Sequence, residues 1–150
     1  VNGFDTPVDL QGAAKSPNAE IAAVADAAHI REGTGAERIR LAARPAQAGG
    51  AIAGFKLDPA LLARAKAINF WVRGTGDQPG QVLFCCYSAF PRDYYFAEFR
   101  VGPVWRQVRL PATVFAAEGT PSWTAINLVS FSYFGTGAVE FVVDSLRVEE

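Results

Sequence analysis

The residues that could do chemistry cluster in one short stretch. In "DYYFAEFRV", residues 93–101, Tyr94, Phe96, Glu98 and Arg100 stand at alternate positions. Strand side chains alternate between faces, so these four share one side. Tyr95, Ala97, Phe99 and Val101 form the other side, an ordinary core face. The first set places two aromatic rings beside two opposite charges where a sheet should meet water. Such a surface suits a sugar. The apolar C–H face of a pyranose packs on an aromatic ring, and its hydroxyls hydrogen-bond to guanidinium and carboxylate groups. Two other readings stay open: a loop covers the rings and leaves Glu98–Arg100 as an exposed pair worth little, or the face meets another ligand or a protein.

A second candidate is Asp144 in "EFVVDSLRV", which alternation places with Val142, Leu146 and Val148. A carboxylate pointing coreward must be paired, hydrogen-bonded or bound to metal. It either holds a metal, caps a turn, or accepts backbone amides at a bulge.

Other chemistries are poorly supplied. His29 is the only histidine, which excludes a catalytic triad and any metal site built on two histidines. Cys85 and Cys86 are the only cysteines; being adjacent, they point to opposite faces of a strand and read as free thiols. "GTGDQPG" is glycine-rich but is followed by no Lys-Ser/Thr and lacks the strand–helix setting of a phosphate loop. No Glu/Asp pair is recognisable from spacing as a glycosidase pair. A lyase built on Tyr and Arg is the remaining enzymatic reading.

The elements that position these residues are strands. Period-2 patterns run through "AERIRLAAR", "AINFWVRG", "QVLFCCYS", "WRQVRLP", "AINLVSFSYF" and "VEFVVDSLRVEE". Turn signals separate them, among them "FPRD", "EGTPS" and "FGTG". The register of "VLFCCYS" is ambiguous, so Tyr87 points in or out. "NGFD" reads as a first strand, and "AEIAAVADAAHI" as a helix or as one to two edge strands. Asp58-Pro59 opens a helical turn, with Asp58 capping and proline in the first position. Trp105 reads as a packing anchor, and Trp123 as a lid or a ligand-stacking residue. Trp71, Arg73, Gln107 and Arg109 read as one solvated face. Many short strands with regular turns predict a single all-β sandwich over residues 1–150, of the jelly-roll type.

The net charge of -1, from 14 basic and 15 acidic residues, gives no reason to expect nucleic acid or an anionic membrane. No apolar run approaches the roughly 20 residues needed to span a bilayer. The chain opens at Val1 and contains no methionine, which suggests a mature or excised segment of a longer precursor.

Several stretches together resemble the galactose-binding-like β-sandwich superfamily: "GFD", "REGTGAERIRL", "AIAGFKLDPALLARAKAINFWVRGTGD", "VWRQVRLPATVF", "INLVSFSYF" and "FVVDSLRV". Within it, the chain is similar to family 11-like carbohydrate-binding modules and to the complex I intermediate-associated protein domain. The resemblance implies two sheets. One would hold the strands of Ile39, Val129, Phe84 and Phe99, and the other the strands of the first segment, Phe70, Val108 and Leu146. It implies that the outer face of the first sheet takes a polysaccharide or oligosaccharide, with Tyr94, Phe96, Glu98 and Arg100 flanked by Arg40, Tyr87 and Ser132. It also implies a structural Ca²⁺ flanked by Asp5 and Asp144, with carbonyls near residues 32–35 as further ligands.

The expected protein is therefore a non-catalytic carbohydrate-binding module, secreted or periplasmic, that targets an attached glycoside hydrolase or lyase domain. The alternatives are a structural or protein-interaction sandwich without a glycan ligand, and a small jelly-roll polysaccharide lyase.

Overall fold

A computed structural model describes residues 14–43, 50–75 and 80–150. Eleven strands stand among them: β1 (Ala14–Lys15), β2 (Ala19–Val24), β3 (Ala36–Ala42), β4 (Ala51–Phe55), β5 (Ala67–Gly74), β6 (Gly80–Ala89), β7 (Asp93–Val101), β8 (Arg106–Pro111), β9 (Ala116–Glu118), β10 (Leu128–Tyr133) and β11 (Ala138–Glu149). They form two sheets, of order β1-β4-β10-β6-β7-β9 and β2-β3-β11-β5-β8. Neighbours pair antiparallel, as in β6 with β7 and β11 with β5. The molecule is the expected all-β jelly-roll sandwich.

Alternation builds the core. Phe84 and Val82 from β6, Phe99 and Val101 from β7, and Phe131 from β10 meet Phe70, Val72, Ile39, Leu41 and Phe141 of the second sheet. Phe131 lies at the centre, with its ring 5.3–6.1 Å from those of Phe55, Phe70, Phe84, Phe99 and Phe141. Removing its ring should cost about 3–5 kcal/mol, because six close-packed rings leave little room for collapse.

One expected placement is wrong. The Ile39 strand, β3, belongs to the second sheet, where Ile39 stands opposite Phe141 of β11. The place beside β10 is taken by β4, with Ala53 opposite Phe131. The "AIAGF" run carries little strand signal in the sequence, because alanine and glycine have low strand propensity. Alternation marks a strand and its faces, but it does not name its neighbour.

"AEIAAVADAAHI" resolves as the edge strand β2 followed by one 3₁₀ turn, Ala27–His29, whose first amides are capped by Asp26. Asp58 accepts from the Ala60 amide and Pro59 opens the short helix α1 (Pro59–Leu62), as expected. "NGFD", Asp5 and residues 76–79 of "GTGDQPG" lie outside the described residues.

Candidate functional site

The stretch 93–101 is strand β7, and its faces fall as alternation requires. Ala97, Phe99 and Val101 are buried in the core, with Tyr95 packed against it, while Glu98 and Arg100 are exposed on the outer face. Tyr94 and Phe96 are half-buried on that outer face. The register of β6 settles Tyr87: Val82, Phe84 and Cys86 point into the core, so Tyr87 points outward, directly opposite Tyr94. One outer row thus runs Leu128–Tyr87–Tyr94–Glu118, and the next Gly54–Ser130–Cys85–Phe96–Ala116.

The aromatic rings on this face pack on one another. The Tyr87 ring centroid lies 5.0 Å from both Tyr94 and Phe90, and Tyr94 lies 5.9 Å from Phe96. Tyr87 is only 3% exposed, and Ser130, Ser132 and Cys85 beside it are fully buried. The Ser130 and Ser132 hydroxyls hydrogen-bond each other at 3.0 Å. Burial pushes the Tyr87 hydroxyl pKa well above its ordinary value, the Cys85 charge adds to this, and the Ser132 and Ser130 hydroxyls offset part of it. Burial also raises both thiols. The face is therefore a second, shallow layer of packing: serines and Cys85 beneath, Tyr87 in the middle, and Tyr94, Phe96 and Phe90 at the surface.

The expected site residues divide accordingly. Tyr94, Phe96, Glu98 and Arg100 are together on one strand and reachable. Tyr87 and Ser132 belong to the same face but are buried, so Tyr87 supports Tyr94 from below and the Ser132 hydroxyl turns to Ser130. Arg40 is placed elsewhere. It follows β3 to the outer face of the second sheet, where its guanidinium pairs with Glu20 at 3.4 Å. Glu98 accepts a hydrogen bond from the Gln81 amide on the neighbouring strand.

Asp144 is buried, but not among core side chains. Register places it outward on β11, opposite Trp71. It does share this face with Val142, but a bulge between Asp144 and Arg147, with Ser145 at φ 51°, turns Leu146 to the core instead. A segment near residues 26–35 covers this face. Asp144 Oδ2 accepts from the backbone amides of Arg31 and Glu32, each at 2.8 Å. Its Oδ1 is buried with no hydrogen-bond partner. Among the described residues no group of three or more His, Cys, Asp or Glu side chains is placed to hold a metal.

The tryptophans are structural in distinct ways. Trp123 stacks on Tyr95 at 4.4 Å and stands edge-on to Phe115, closing the sandwich end as a lid. Trp71 donates from Nε1 to Glu32 at 2.9 Å beneath the Arg31 guanidinium. Trp105 is no core anchor; it lies half-buried under Arg73, 5.3 Å from that guanidinium. Three further residues, Phe90, Glu32 and Glu37, take part in these arrangements. Glu37 is 1% exposed and stands in phase with Ile39 and Leu41, so its inward direction is legible in the pattern of β3. Phe90 and Glu32 sit in turns, where no periodicity marks them.

No family model and no curated relative matches the sequence. Solved structures do match in fold. A family 11 carbohydrate-binding module from Clostridium thermocellum, in complex with a β-1,3-1,4-mixed-linked tetrasaccharide, superposes with a TM-score of 0.70 at 14% identity, covering 91% of this chain and 86% of that one. A family 30 carbohydrate-binding module of a cellulosomal cellulase of Clostridium thermocellum gives 0.65 at 11% identity, covering 92% and 90%. An exo-β-agarase gives 0.69 at 10% identity, with 99% of this chain matched to 24% of that one. The chain thus shares the β-sandwich fold of these modules, and among the described residues no helix is long and apolar enough to cross a membrane.

Proposed function

We propose that this chain is a non-catalytic carbohydrate-binding module that takes a polysaccharide across the outer face of its six-stranded sheet. The observation that carries the reading is the pair Tyr94 and Phe96. Two aromatic rings stand side by side on a sheet face away from the core, half-exposed, and Tyr87 braces Tyr94 from below. Glu98 and Arg100 continue the same line with groups that accept from and donate to hydroxyls. From Tyr94 to Arg100 the strand runs about 20 Å, enough for several sugar units. An open face of this kind gives weak affinity, roughly micromolar.

The sandwiches of the family 11 and family 30 modules support the reading by their shape, and the agarase match, which spans 24% of that chain, supports attachment to a hydrolase or lyase domain. A module raises the local concentration of its enzyme on the polymer and accelerates no chemistry itself. The test is affinity electrophoresis through gels containing mixed-linked β-glucan, xylan, agarose or pectin. Retardation by at least one polymer, abolished in Tyr94→Ala, is expected. If no polymer retards the protein, the module reading fails and the protein-interaction sandwich replaces it. Release of unsaturated products, absorbing in the ultraviolet, would turn it into a lyase.

A structural Ca²⁺ at Asp144 belongs to the same proposal. Asp144 Oδ1 is a buried hard oxygen without a hydrogen-bond partner, which suits such an ion. Asp5 and carbonyls of residues 32–35 would complete the set. The ion would supply stability by binding only the native state, so a chelator should lower the melting temperature and added Ca²⁺ restore it. An unchanged melting temperature on stripping removes this part.

A further inference from the structure

The outer aromatic line ends at a hollow of about 320 Å³ lined by Gln81, Glu98, Phe99, Arg100 and Arg106. It sits at the small end of the size range of ligand pockets, about 300–1,000 Å³. The topology explains it. Strand β9 pairs with β7 only over Tyr94 to Phe96, so among the described strands the second half of β7 is an open sheet edge. Strand β8 is the edge of the other sheet and brings Arg106 to the same corner.

What sets this corner apart is that two unmatched guanidiniums line one hollow; Arg38 and Arg92 also lack a carboxylate within 4.0 Å among the described residues, but neither lines it. Arg40, Arg64, Arg109 and Arg147 each pair with a glutamate. Arg31 and Arg73 lie on indole rings. In the hollow, Glu98 takes the Gln81 amide, and neither Arg100 nor Arg106 has a carboxylate within 4.0 Å among the described residues. Two guanidiniums and one carboxylate leave the hollow net positive, with Phe99 as an apolar wall. A guanidinium offers forked donors that match a planar carboxylate or a sulfate.

We infer that this hollow binds an anionic substituent, carboxylate or sulfate ester, of the bound glycan, so that the ligand is an acidic polysaccharide. Arg100 and Arg106 take the anion, Glu98 accepts from an adjacent hydroxyl, and Tyr94 and Phe96 stack the neighbouring units. The inference rests on glycan binding at the aromatic face but separates from it in test.

The test compares matched polymers: polygalacturonate against its carboxyl-reduced form, and carrageenan against agarose. Affinity is measured by titration calorimetry on the wild type, Tyr94→Ala, and the double variant Arg100→Ala/Arg106→Ala; both arginines are exposed, and melting curves confirm folding. The wild type should prefer the acidic member of at least one pair, and that pair identifies the anion. The double variant should lose about tenfold more affinity on the acidic polymer than on the neutral one, because the charge-assisted hydrogen bonds to the anion are lost on top of the hydroxyl contact of Arg100; equal losses on both polymers refute the anion site. If the double variant keeps its acidic affinity, or the wild type prefers the neutral polymers, the anion site is refuted while loss in Tyr94→Ala keeps the aromatic face. If no polymer binds, both fall.

Discussion

The outer faces of the two sheets carry similar residue types and use them in opposite ways. On the five-stranded sheet, the exposed side of Trp71 lies under Arg31 and its Nε1–H is taken by Glu32, which also holds Arg147. Trp105 lies under Arg73, which meets His29, and Arg109 is bound by Glu149 in two hydrogen bonds. Each aromatic ring there has its cation and most charges have a partner. On the six-stranded sheet, aromatic rings meet other aromatic rings, and the arginine at the end of the row has no carboxylate within reach among the described residues. Aromatic content alone therefore does not mark a binding face. What distinguishes the two is whether the rings and charges already satisfy each other.

The comparison makes Asp144 the strongest place to perturb the closed face without touching the open one. Asp144→Ala removes the acceptor for two backbone amides under the segment near residues 26–35. Leaving buried donors unpaired costs about 1–3 kcal/mol each, so a loss on the order of 3 kcal/mol is expected by chemical denaturation. Asn keeps one acceptor oxygen and should lose less. Glycan affinity measured on the folded fraction should stay within twofold. A large loss of affinity with unchanged stability would contradict the division of labour between the faces.

The mirror experiment acts on the open face. Tyr87→Ala empties a buried position and should destabilise by roughly 3 kcal/mol, close to the cost of other buried aromatic truncations. Tyr94→Ala, on a half-buried neighbour, should change stability by less than about 1 kcal/mol. Its effect should appear in binding, as a loss of about tenfold or more. If the two variants behaved alike in both measurements, Tyr94 would be one more packing residue and the face would be closed like the other.

The sequence carried much of this, and its failures have physical causes. Alternation in "DYYFAEFRV" assigned all four outward residues correctly, because a strand with one apolar face has only one acceptable register. The continuous apolar run of "VLFCCYS" could not fix Tyr87, since Cys85 and Leu83 are as apolar as their inward neighbours. The pattern gives the Arg40 strand its faces but no sheet, so the place of Arg40 on the second sheet is not legible in the sequence. Asp144 was aimed at the core because a bulge, which reverses alternation after Ser145, leaves no mark on hydropathy. The unsatisfied arginines of the edge hollow were invisible for a related reason: pairing is a property of neighbours in space.

The smallest effect expected concerns Glu32, the hinge of the closed face. Its pKa is lowered from the ordinary 4.5, first by the Trp71 hydrogen bond, then by a Ser145 hydrogen bond, with Arg147 and Arg31 adding and partial burial opposing. A carboxylate with a lower pKa in the folded state holds fewer protons there than when unfolded. Its contribution is therefore fully present above pH 4.5 and is lost as the pH falls through the folded value. The group is partly exposed, so water screens the effect to below about 1 kcal/mol. Trp71→Phe keeps a ring beneath Arg31 but deletes the Nε1 donor. The variant should lose less stability than the wild type when acidified below pH 4.5, with the two curves parallel above it. Glu149, held down by Arg109, titrates in both proteins and cancels in the difference. Equal acid sensitivity in both would mean that Trp71 sits on that face without engaging its charges, and the contrast between the two sheets would lose its best-defined contact.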